Sequence, residues 1–348
     1  MSLIVDIEKR LGAFTLRAQL QADGGVLGLL GASGCGKSMT LKCIAGIEAP
    51  DSGHIELDGV TLFDARRRIC LPPQQRHVGY LFQSYALFPN MTVRKNILCG
   101  LHGERDRRRR EAEIERAAQL LQLTDLLERK PHQLSGGQAQ RAALARILVS
   151  HPKLLMLDEP FSALDSHLRV RLQWELRELL AGLGQSTLLV THDRDEAYHL
   201  CGEIAVMDAG RILAKKPTKA LFADPGSVRA AQITGCKNIT RARKTGTFEL
   251  EAPDWGVRLT TALPVPDDVA AVGIRAHYFN PKSGVNSAPV RLADQMEEPF
   301  EWILTFRWAN QSDDSPALWW RVPKDKRPVP FPQALGISPA NVLPLSEP

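Results

Sequence analysis

A glycine-rich segment between an apolar run and a helical pattern constrains this chain more than any other feature. Residues 31–38 read Gly-Ala-Ser-Gly-Cys-Gly-Lys-Ser. The apolar residues 26–30 predict a buried strand before it, and residues 39–44 predict a helix after it. Glycine permits backbone conformations that turn successive N–H groups toward a polyphosphate, and the helix N-terminus adds its positive dipole end. The segment therefore predicts a nucleoside triphosphate site.

Individual roles follow from the same pattern. We expect Lys37 to reach the β- and γ-phosphates and the Ser38 hydroxyl to hold Mg²⁺. The predicted nucleotide-binding residues of this segment are Gly31, Ser33, Gly34, Cys35, Gly36, Lys37, Ser38 and Met39.

Composition limits the classes of protein to which this chain can belong. The 348 residues, 44% hydrophobic and 24% charged, indicate a globular protein of two domains. A net charge of +5 is too small to indicate nucleic-acid binding. The arginine-rich residues 105–110 fit a solvated helix face, with an anionic lipid surface as the alternative.

Cysteine usage and hydropathy bear on the compartment. The six cysteines contain no C-x-x-C pair, which favours a reducing compartment over disulfides or a zinc site. We expect no signal peptide, because a strand-like run at 3–7 follows Met1. No apolar run reaches the length of a membrane span.

A second predicted buried strand, residues 154–159, ends in two consecutive carboxylates. The spacing suits the other half of a phosphate-loop site, in which Asp158 would hold Mg²⁺ and Glu159 would polarise the attacking water. Pro160 ends the predicted strand. Without the upstream loop, the acidic pair could equally cap the next turn.

Residues 134–138, Leu-Ser-Gly-Gly-Gln, precede a predicted helix at 139–148. We predict that Ser135 is its N-cap, and that the two glycines leave an anion site at its N-terminus. The segment resembles the signature sequence of ATP-binding cassette (ABC) proteins, in which it covers the γ-phosphate of ATP bound to the other subunit. By this resemblance, Ser135, Gly136, Gly137 and Gln138 bind nucleotide.

Other elements of the ABC family appear in the family's order, and the resemblance covers roughly residues 1–235. Gln83 is similar to the glutamine that contacts Mg²⁺ and couples to the permease, and His192 to the switch histidine at the γ-phosphate. The catalytic residues that the resemblance implies are Glu159, His192 and Gln83; the metal ligands are Ser38, Gln83 and Asp158; and the dimer-interface loop is Ser162, Ala163, Leu164 and Asp165. Importers of the family stack adenine on an aromatic residue before the phosphate loop. Phe14 is the candidate here, with a place in the core as the alternative.

The resemblance implies a homodimer that holds two ATP molecules and Mg²⁺ between its subunits. The chain resembles the ATPase subunit of an importer, peripheral on the cytoplasmic face of the inner membrane, which works with permease subunits and indirectly with a solute-binding protein. The exposed run 84–89 would receive the permease. A soluble ABC ATPase acting on nucleic acid or ribosomes is the alternative of another class. It fits less well, because the chain lacks long heptads and a second cassette.

The predicted fold is an α/β phosphate-loop ATPase domain at 1–235, with a helical subdomain at about 84–150. A small β-rich domain at 236–348, similar to the OB-type accessory domain of importer ATPases, follows it. Residues 302–308 and 317–322 alternate as half-buried strands, whose tryptophans serve the core or, alternatively, a ligand. The proline-rich final stretch, beginning at Pro323, is predicted to be extended or loosely ordered.

The transported solute is the remaining prediction from the sequence. Residues 69–80, 235–239 and 273–279 look most like molybdate-type importer ATPases, so molybdate or tungstate is the predicted cargo. The alternatives are sulfate, a sugar, a polyamine and ferric iron.

Overall fold

The computed structural model of the chain describes residues 2–162, 166–312 and 314–347. The chain divides into two compact units, Met1–Thr218 and Lys219–Pro348. Residues 219–235, which the sequence analysis assigns to the ATPase domain, therefore belong to the second compact unit. They contain the short helix at Val228–Ile233, where Ala230 and Ala231 are buried.

The first unit combines one large sheet with helices. Its strands are β1 Leu3–Leu11, β2 Phe14–Ala22, β3 Val26–Leu30, β4 Ser52–Leu57, β5 Val60–Asp64, β6 Ile69–Cys70, β7 Val78–Leu81, β8 Leu154–Asp158, β9 Thr187–Thr191, β10 Glu203–Asp208 and β11 Arg211–Pro217. Its helices are α1 Lys37–Ala45, α2 Val93–Cys99, α3 Arg107–Leu120, α4 Gly136–Leu148, α5 Ser166–Leu183 and α6 Arg194–Leu200.

These eleven strands form a single sheet in the order β6-β5-β4-β1-β2-β11-β10-β3-β9-β8-β7. From β10 to β7 every neighbouring pair is parallel. Strands β8 and β9 are buried along their whole length, because parallel strands are covered on both faces. This explains why their sequences are continuous apolar runs rather than alternating ones.

Helices α2, α3 and α4 lie in the chain between β7 and β8, within the predicted helical subdomain. Helix α3 begins after Asp106, whose carboxylate accepts hydrogen bonds from the Arg108 and Arg109 backbone N–H groups. The arginine cluster at the start of this helix is mostly exposed, and Arg109 lies 3.9 Å from the carboxylates of both Glu104 and Asp106.

The second unit is rich in β-structure. Its helices are α7 Thr218–Ala223, which begins at the last residue of the first unit, and α8 Val228–Ile233. Its strands are β12 Asn238–Arg241, β13 Arg243–Gly246, β14 Glu249–Ala252, β15 Val257–Thr260, β16 Val269–Ile274, β17 Phe279–Asn280, β18 Ala288–Glu297, β19 Glu301–Trp308, β20 Leu318–Pro323, β21 Ala334–Ile337 and β22 Val342–Ser346. They form three sheets, β12-β16-β22, β13-β14-β15 and β17-β21-β18-β19-β20.

One core joins the three sheets of this unit, and the predicted aromatic strands contribute to it. Leu304, Phe306 and Trp308 of β19 are buried, as are Trp320 and Val322 of β20. Trp319 lies on the other face of β20 and is exposed. Most of these tryptophans therefore serve the core, as period-two alternation predicts.

The final stretch is more ordered than the proline content indicates. Residues 328–333 lack regular structure, but β21 and β22 follow them. Leu335, Ile337 and Leu345 are fully buried. The prediction was an extended or loosely ordered end. Residues 334–337 and 342–346 are extended, but they are ordered as two strands of the core, so the loosely ordered alternative was wrong there.

Arg76 stabilises the helix that follows the glycine-rich segment. Its side chain is only 1% exposed, and its guanidinium donates to the carbonyl oxygens of Cys43 and Ile44 at 2.8 and 2.9 Å. These carbonyls belong to the last turn of α1, where the regular i+4 hydrogen bonds of the helix end and the helix dipole favours a cation. A third bond, at 2.7 Å, reaches the Leu71 carbonyl oxygen.

We predict that Arg76→Met lowers the free energy of unfolding by about 2–4 kcal/mol, because buried carbonyls lose their donors. Urea unfolding of the full chain, followed by the helical circular dichroism signal, measures it. The exposed Arg66 supplies the control, and Arg66→Met should change stability by less than about 0.5 kcal/mol. Equal effects of the two substitutions would contradict the capping role.

Candidate nucleotide and magnesium site

Four neighbouring strand ends build the candidate site. Strands β3, β9, β8 and β7 are adjacent and parallel, so their carboxyl ends lie along one edge of the sheet. The glycine-rich segment follows β3, His192 follows β9, Glu159 follows β8 and Gln83 follows β7. Residues that are far apart in the sequence are therefore neighbours here, at the edge where ligands bind in open α/β sheets.

The loop after β3 depends on its glycines. A Cβ atom on Gly31 would lie 2.1 Å from the Met207 carbonyl oxygen, so no side chain fits there. Gly36 is the N-cap of α1 and has φ +111°, a conformation that other residues rarely adopt. The predicted loop between strand and helix N-terminus is the geometry that binds phosphate groups through backbone N–H groups.

Lys37 places a buried positive charge at this loop. Its side chain is 4% exposed, and Nζ donates to the carbonyl oxygens of Gly31 and Ala32 at 2.8 and 2.9 Å. Carbonyl oxygens orient an ammonium group without neutralising it, so an anion that reaches the loop gains a strong electrostatic partner.

Asp158, Ser38 and Tyr80 form a hydrogen-bonded group beside the loop. The Asp158 carboxylate is 7% exposed; its Oδ1 accepts from the Ser38 hydroxyl and its Oδ2 from the Tyr80 hydroxyl, both at 2.7 Å. Burial, followed by the hydrogen bond to Asp158, raises the pKa of Tyr80 above its ordinary value, so the phenol stays protonated. Both partners of this buried carboxylate are therefore neutral donors.

The oxygen donors of Ser38 and Asp158 fit Mg²⁺, which prefers carboxylate and hydroxyl oxygens. Within the described residues, no group of three or more His, Cys, Asp or Glu side chains could hold a metal ion.

Glu159 and His192 meet across the ends of β8 and β9. A Glu159 carboxylate oxygen lies 3.2 Å from Nδ1 of His192, which is half exposed. The Glu159 backbone has φ +46°, and its N–H donates to the Val190 carbonyl oxygen at 2.9 Å. The left-handed conformation turns the chain abruptly after the strand, and such local strain is characteristic of functional positions.

The segment after β7 is tied to other elements. Gln83 is exposed, whereas the Tyr85 hydroxyl is buried and donates to the Pro160 carbonyl oxygen at 3.1 Å. Arg146 of α4 donates to the carbonyl oxygens of Tyr85 and Ala86, which both have positive φ. The turn after Gln83, which the sequence predicts to meet the permease, is thus held by two hydrogen-bonded attachments. One is to Pro160, the residue after Glu159, and the other is to helix α4.

The predicted signature residues form the start of α4. Ser135 is the N-cap, as predicted; its hydroxyl accepts from the Gln138 N–H, and the Gln138 side chain accepts from the Ser135 N–H. The helix begins at Gly136, three residues earlier than predicted. Gly137 is buried, and a Cβ there would lie 3.0 Å from the Leu172 side chain. The signature residues contact one another and α5, whereas the Ser38–Asp158 and Glu159–His192 pairs lie at the sheet edge.

The remaining predicted positions fall beside the loop or outside the described part. Phe14 is partly buried and packs against the core. It lies next to Gly36, because a Cβ atom added at Gly36 would be 3.4 Å from the Phe14 ring. Ser162 donates to the Glu159 carbonyl oxygen. Ala163, Leu164 and Asp165 lie outside the described residues.

Tyr80 is the site residue that sequence reasoning missed. It belongs to β7, which pairs with β8 in parallel register. A tyrosine in a buried strand beside a strand that ends in Asp is the available signal, because a buried phenol needs a hydrogen-bond partner.

Comparisons with known proteins agree with this geometry. Residues 17–162 match the ABC transporter family. A sulfate/thiosulfate import ATP-binding protein, CysA 2 of Chromobacterium violaceum, is 40% identical over 262 residues, which are 74% of this chain and 69% of the relative. The chain belongs to the ABC transporter ATP-binding family.

Other similar ABC proteins are named for the import of different solutes. The Fe(3+) ions import ATP-binding protein FbpC of Haemophilus influenzae is 44% identical over 213 residues, 61% of this chain and 60% of the relative. The molybdenum import ATP-binding protein ModC of Paramagnetospirillum magneticum is 38% identical over 224 residues, 64% and 61% of the two chains. The chain spans 56% to 60% of the length of four of the curated relatives it matches.

A solved structure supports the ABC fold. The dimeric structure of a post-hydrolysis state of the ATP-binding cassette MJ0796, bound to ADP and Pi, has a TM-score of 0.52 and 25% identity. It covers 63% of this chain and 99% of the solved chain. The α/β ATPase fold with a helical subdomain is confirmed, and the β-rich second unit fits the accessory domain of an import ABC ATPase.

The predicted molybdate specificity is not favoured. Relatives named for iron and for putrescine are 44% and 42% identical, above the 38% of the molybdenum relative. Of the segments on which the prediction rested, residues 69–80 lie in the first unit, and residues 235–239 and 273–279 lie in the second. None of the helices in the described part of this ABC protein is long and apolar enough to cross a bilayer.

We predict that Cys35 of the phosphate loop reacts slowly with iodoacetamide. Burial raises the pKa of its thiol, against the lowering effect of Lys37, so the reactive thiolate fraction falls. The exposed Cys70 and Cys99 should be labelled first in mass spectrometry of the native protein at pH 8. Labelling of Cys35 as fast as Cys99 would contradict this.

Proposed function

We propose that this chain is the ATP-hydrolysing subunit of an ABC importer. The observation that carries the proposal is the edge at which four parallel strands end. There a phosphate loop, a Ser38–Asp158 pair and a Glu159–His192 pair converge. Relatives named as import ATP-binding proteins share 38% to 44% identity with it, which supports the importer class.

Each group has a part in hydrolysis. The loop N–H groups and Lys37 bind the β- and γ-phosphates, and Lys37 is already oriented by two carbonyl oxygens. Mg²⁺, held by Ser38 and Asp158, would neutralise developing phosphate charge. Glu159 accepts a proton from the attacking water, and His192 beside it orients that carboxylate and meets the γ-phosphate.

The complete site needs a second copy of the chain. The signature residues at the start of α4 belong to the helical part, and by family resemblance they cover ATP bound to the partner. The solved MJ0796 cassette is dimeric, which supports a homodimer, and the family resemblance implies that its two subunits face each other head to tail. ATP binding closes this dimer and hydrolysis opens it.

Coupling to a permease uses the turn after Gln83. Phe88 and Met91 are exposed there, and Arg146 holds the backbone of the turn. An apolar surface on a fixed turn suits a permease segment. The ATPase would then lie on the cytoplasmic side of the membrane, with a solute-binding protein as an indirect partner. Phe14, beside Gly36, is the aromatic residue that we propose to stack on adenine.

Glu159→Gln tests the catalytic assignment. The amide cannot accept the proton from water, so steady-state ATP hydrolysis should fall at least about 100-fold. ATP binding should persist, and ATP with Mg²⁺ should accumulate a stable dimer in size-exclusion chromatography with light scattering.

The matched control is Lys37→Ala, which removes the charge that binds the phosphates and should abolish ATP binding and dimer formation together. A Glu159→Gln protein that stays monomeric with saturating ATP would contradict the two-site proposal. Normal ATP affinity in Lys37→Ala would show that the phosphate loop is misassigned.

Cargo import is tested in cells that lack the chain, complemented with wild type or with Glu159→Gln. We expect cellular iron, sulfur, molybdenum or polyamine content, under limiting supply, to be restored by wild type alone. Elemental analysis and amine chromatography of the same cultures measure it. Identical contents in all strains would argue against an importer of these solutes.

A further inference from the structure

Tyr80 occupies a position that the ATPase chemistry above does not use. Its hydroxyl lies 2.7 Å from Oδ2 of Asp158, and the Ser38 hydroxyl lies 2.7 Å from Oδ1 of the same carboxylate. An ionised carboxylate can only accept, so both hydroxyls donate to it. Each oxygen of Asp158 is thereby held by one side chain from a different element of the first unit.

This arrangement is rigid on the Tyr80 side. Strand β7 pairs with β8 from Val78↔Leu154 to Leu81↔Leu157 in unbroken parallel register. The Tyr80 ring also contacts the Phe82 ring, with centroids 4.4 Å apart. The backbone that carries the phenol is therefore fixed beside β8, and a rotation of Asp158 away from Tyr80 would break the hydrogen bond.

The hydrogen bonds also fix the direction of the Ser38 hydroxyl. Because Ser38 donates its proton to Oδ1, its oxygen lone pairs point away from Asp158 and stay available for a cation. Rotation of Asp158 would move that acceptor and release the hydroxyl. The Tyr80 hydrogen bond thus bears on the direction of the Ser38 hydroxyl through Asp158. Tyr80 lies on β7, one strand further from the phosphate loop than β8, which carries Asp158.

We propose that Tyr80 is a positioning residue that holds Asp158, and through it Ser38, in the orientation that receives Mg²⁺ with the nucleotide. The proposal rests on the ATPase function proposed above. Partners that orient metal ligands contribute about 10- to 100-fold in metal affinity or activity. A tyrosine that only fills space would contribute its ring and not its hydroxyl.

Tyr80→Phe separates these two roles, because it keeps the ring and its contact with Phe82 but removes the donor. The substitution is made in the Glu159→Gln protein, which should not turn over ATP. The quantity measured is the Mg²⁺ concentration that gives half-maximal ATP-dependent dimer, by light scattering after size exclusion. We expect it to rise about 10-fold.

Two further measurements make the result specific. Binding of a fluorescent ATP analogue in EDTA should stay within about twofold, because phosphate binding by the loop and Lys37 needs no metal. Tyr278→Phe, at an exposed tyrosine of the second unit, is the matched control and should leave the Mg²⁺ midpoint unchanged.

The outcomes distinguish this proposal from the one on which it rests. If the Glu159→Gln parent does not form an ATP-dependent dimer, the proposed ATPase cycle fails. If the parent dimerises and Tyr80→Phe leaves the Mg²⁺ midpoint unchanged, the positioning role is overturned. Loss of folding, or an equal loss of metal-free nucleotide binding, would show that the hydroxyl is structural and would also overturn it.

Discussion

Parallel pairing of β3, β9, β8 and β7 is the constraint on which the site depends. Parallel strands share a direction, so whatever follows each of them emerges at the same edge. Residues separated by more than 100 positions, such as Ser38 and Asp158, come within hydrogen-bond distance there. Closing such long loops costs conformational entropy, and the apolar burial of strands such as β8 and β9 offsets that cost. The arrangement of the site therefore depends on the apolar core.

Buried polar groups at this edge are held by neutral partners. Lys37 donates to carbonyl oxygens, and Asp158 accepts from two hydroxyls. The partners of these two charged groups are thus neutral. Neutral dipoles orient a charge but leave most of its field available, whereas a close ion pair would cancel it. The loop thus presents a positive site and its neighbour a negative one, which matches a phosphate and its counter-cation.

The second unit follows different rules. Its three sheets share an aromatic core, with Trp308 and Phe306 packed edge to face at 5.5 Å. Alternation of apolar and polar residues determines which face of each strand is buried, and it correctly predicted the strand at 302–308. Core packing of this kind does not identify the transported solute. Similarity to importers of several different solutes does not identify it either.

The sequence by itself determined the strands at 26–30 and 154–158, the helices that follow residues 36 and 135, and which polar residues stand at their ends. Gly31 to Ser38, the carboxylates of Asp158 and Glu159 and the N-cap Ser135 are local patterns, and local backbone and capping rules suffice to interpret them. Tertiary structure alone decided which of these side chains meet, because strand order is not written in any one segment. It brought Tyr80 to Asp158, His192 to Glu159 and Arg76 to the end of α1, and it made core strands of residues 334–337 and 342–346. Each of these contacts joins distant segments, so it depends on the register of the whole sheet rather than on a local rule.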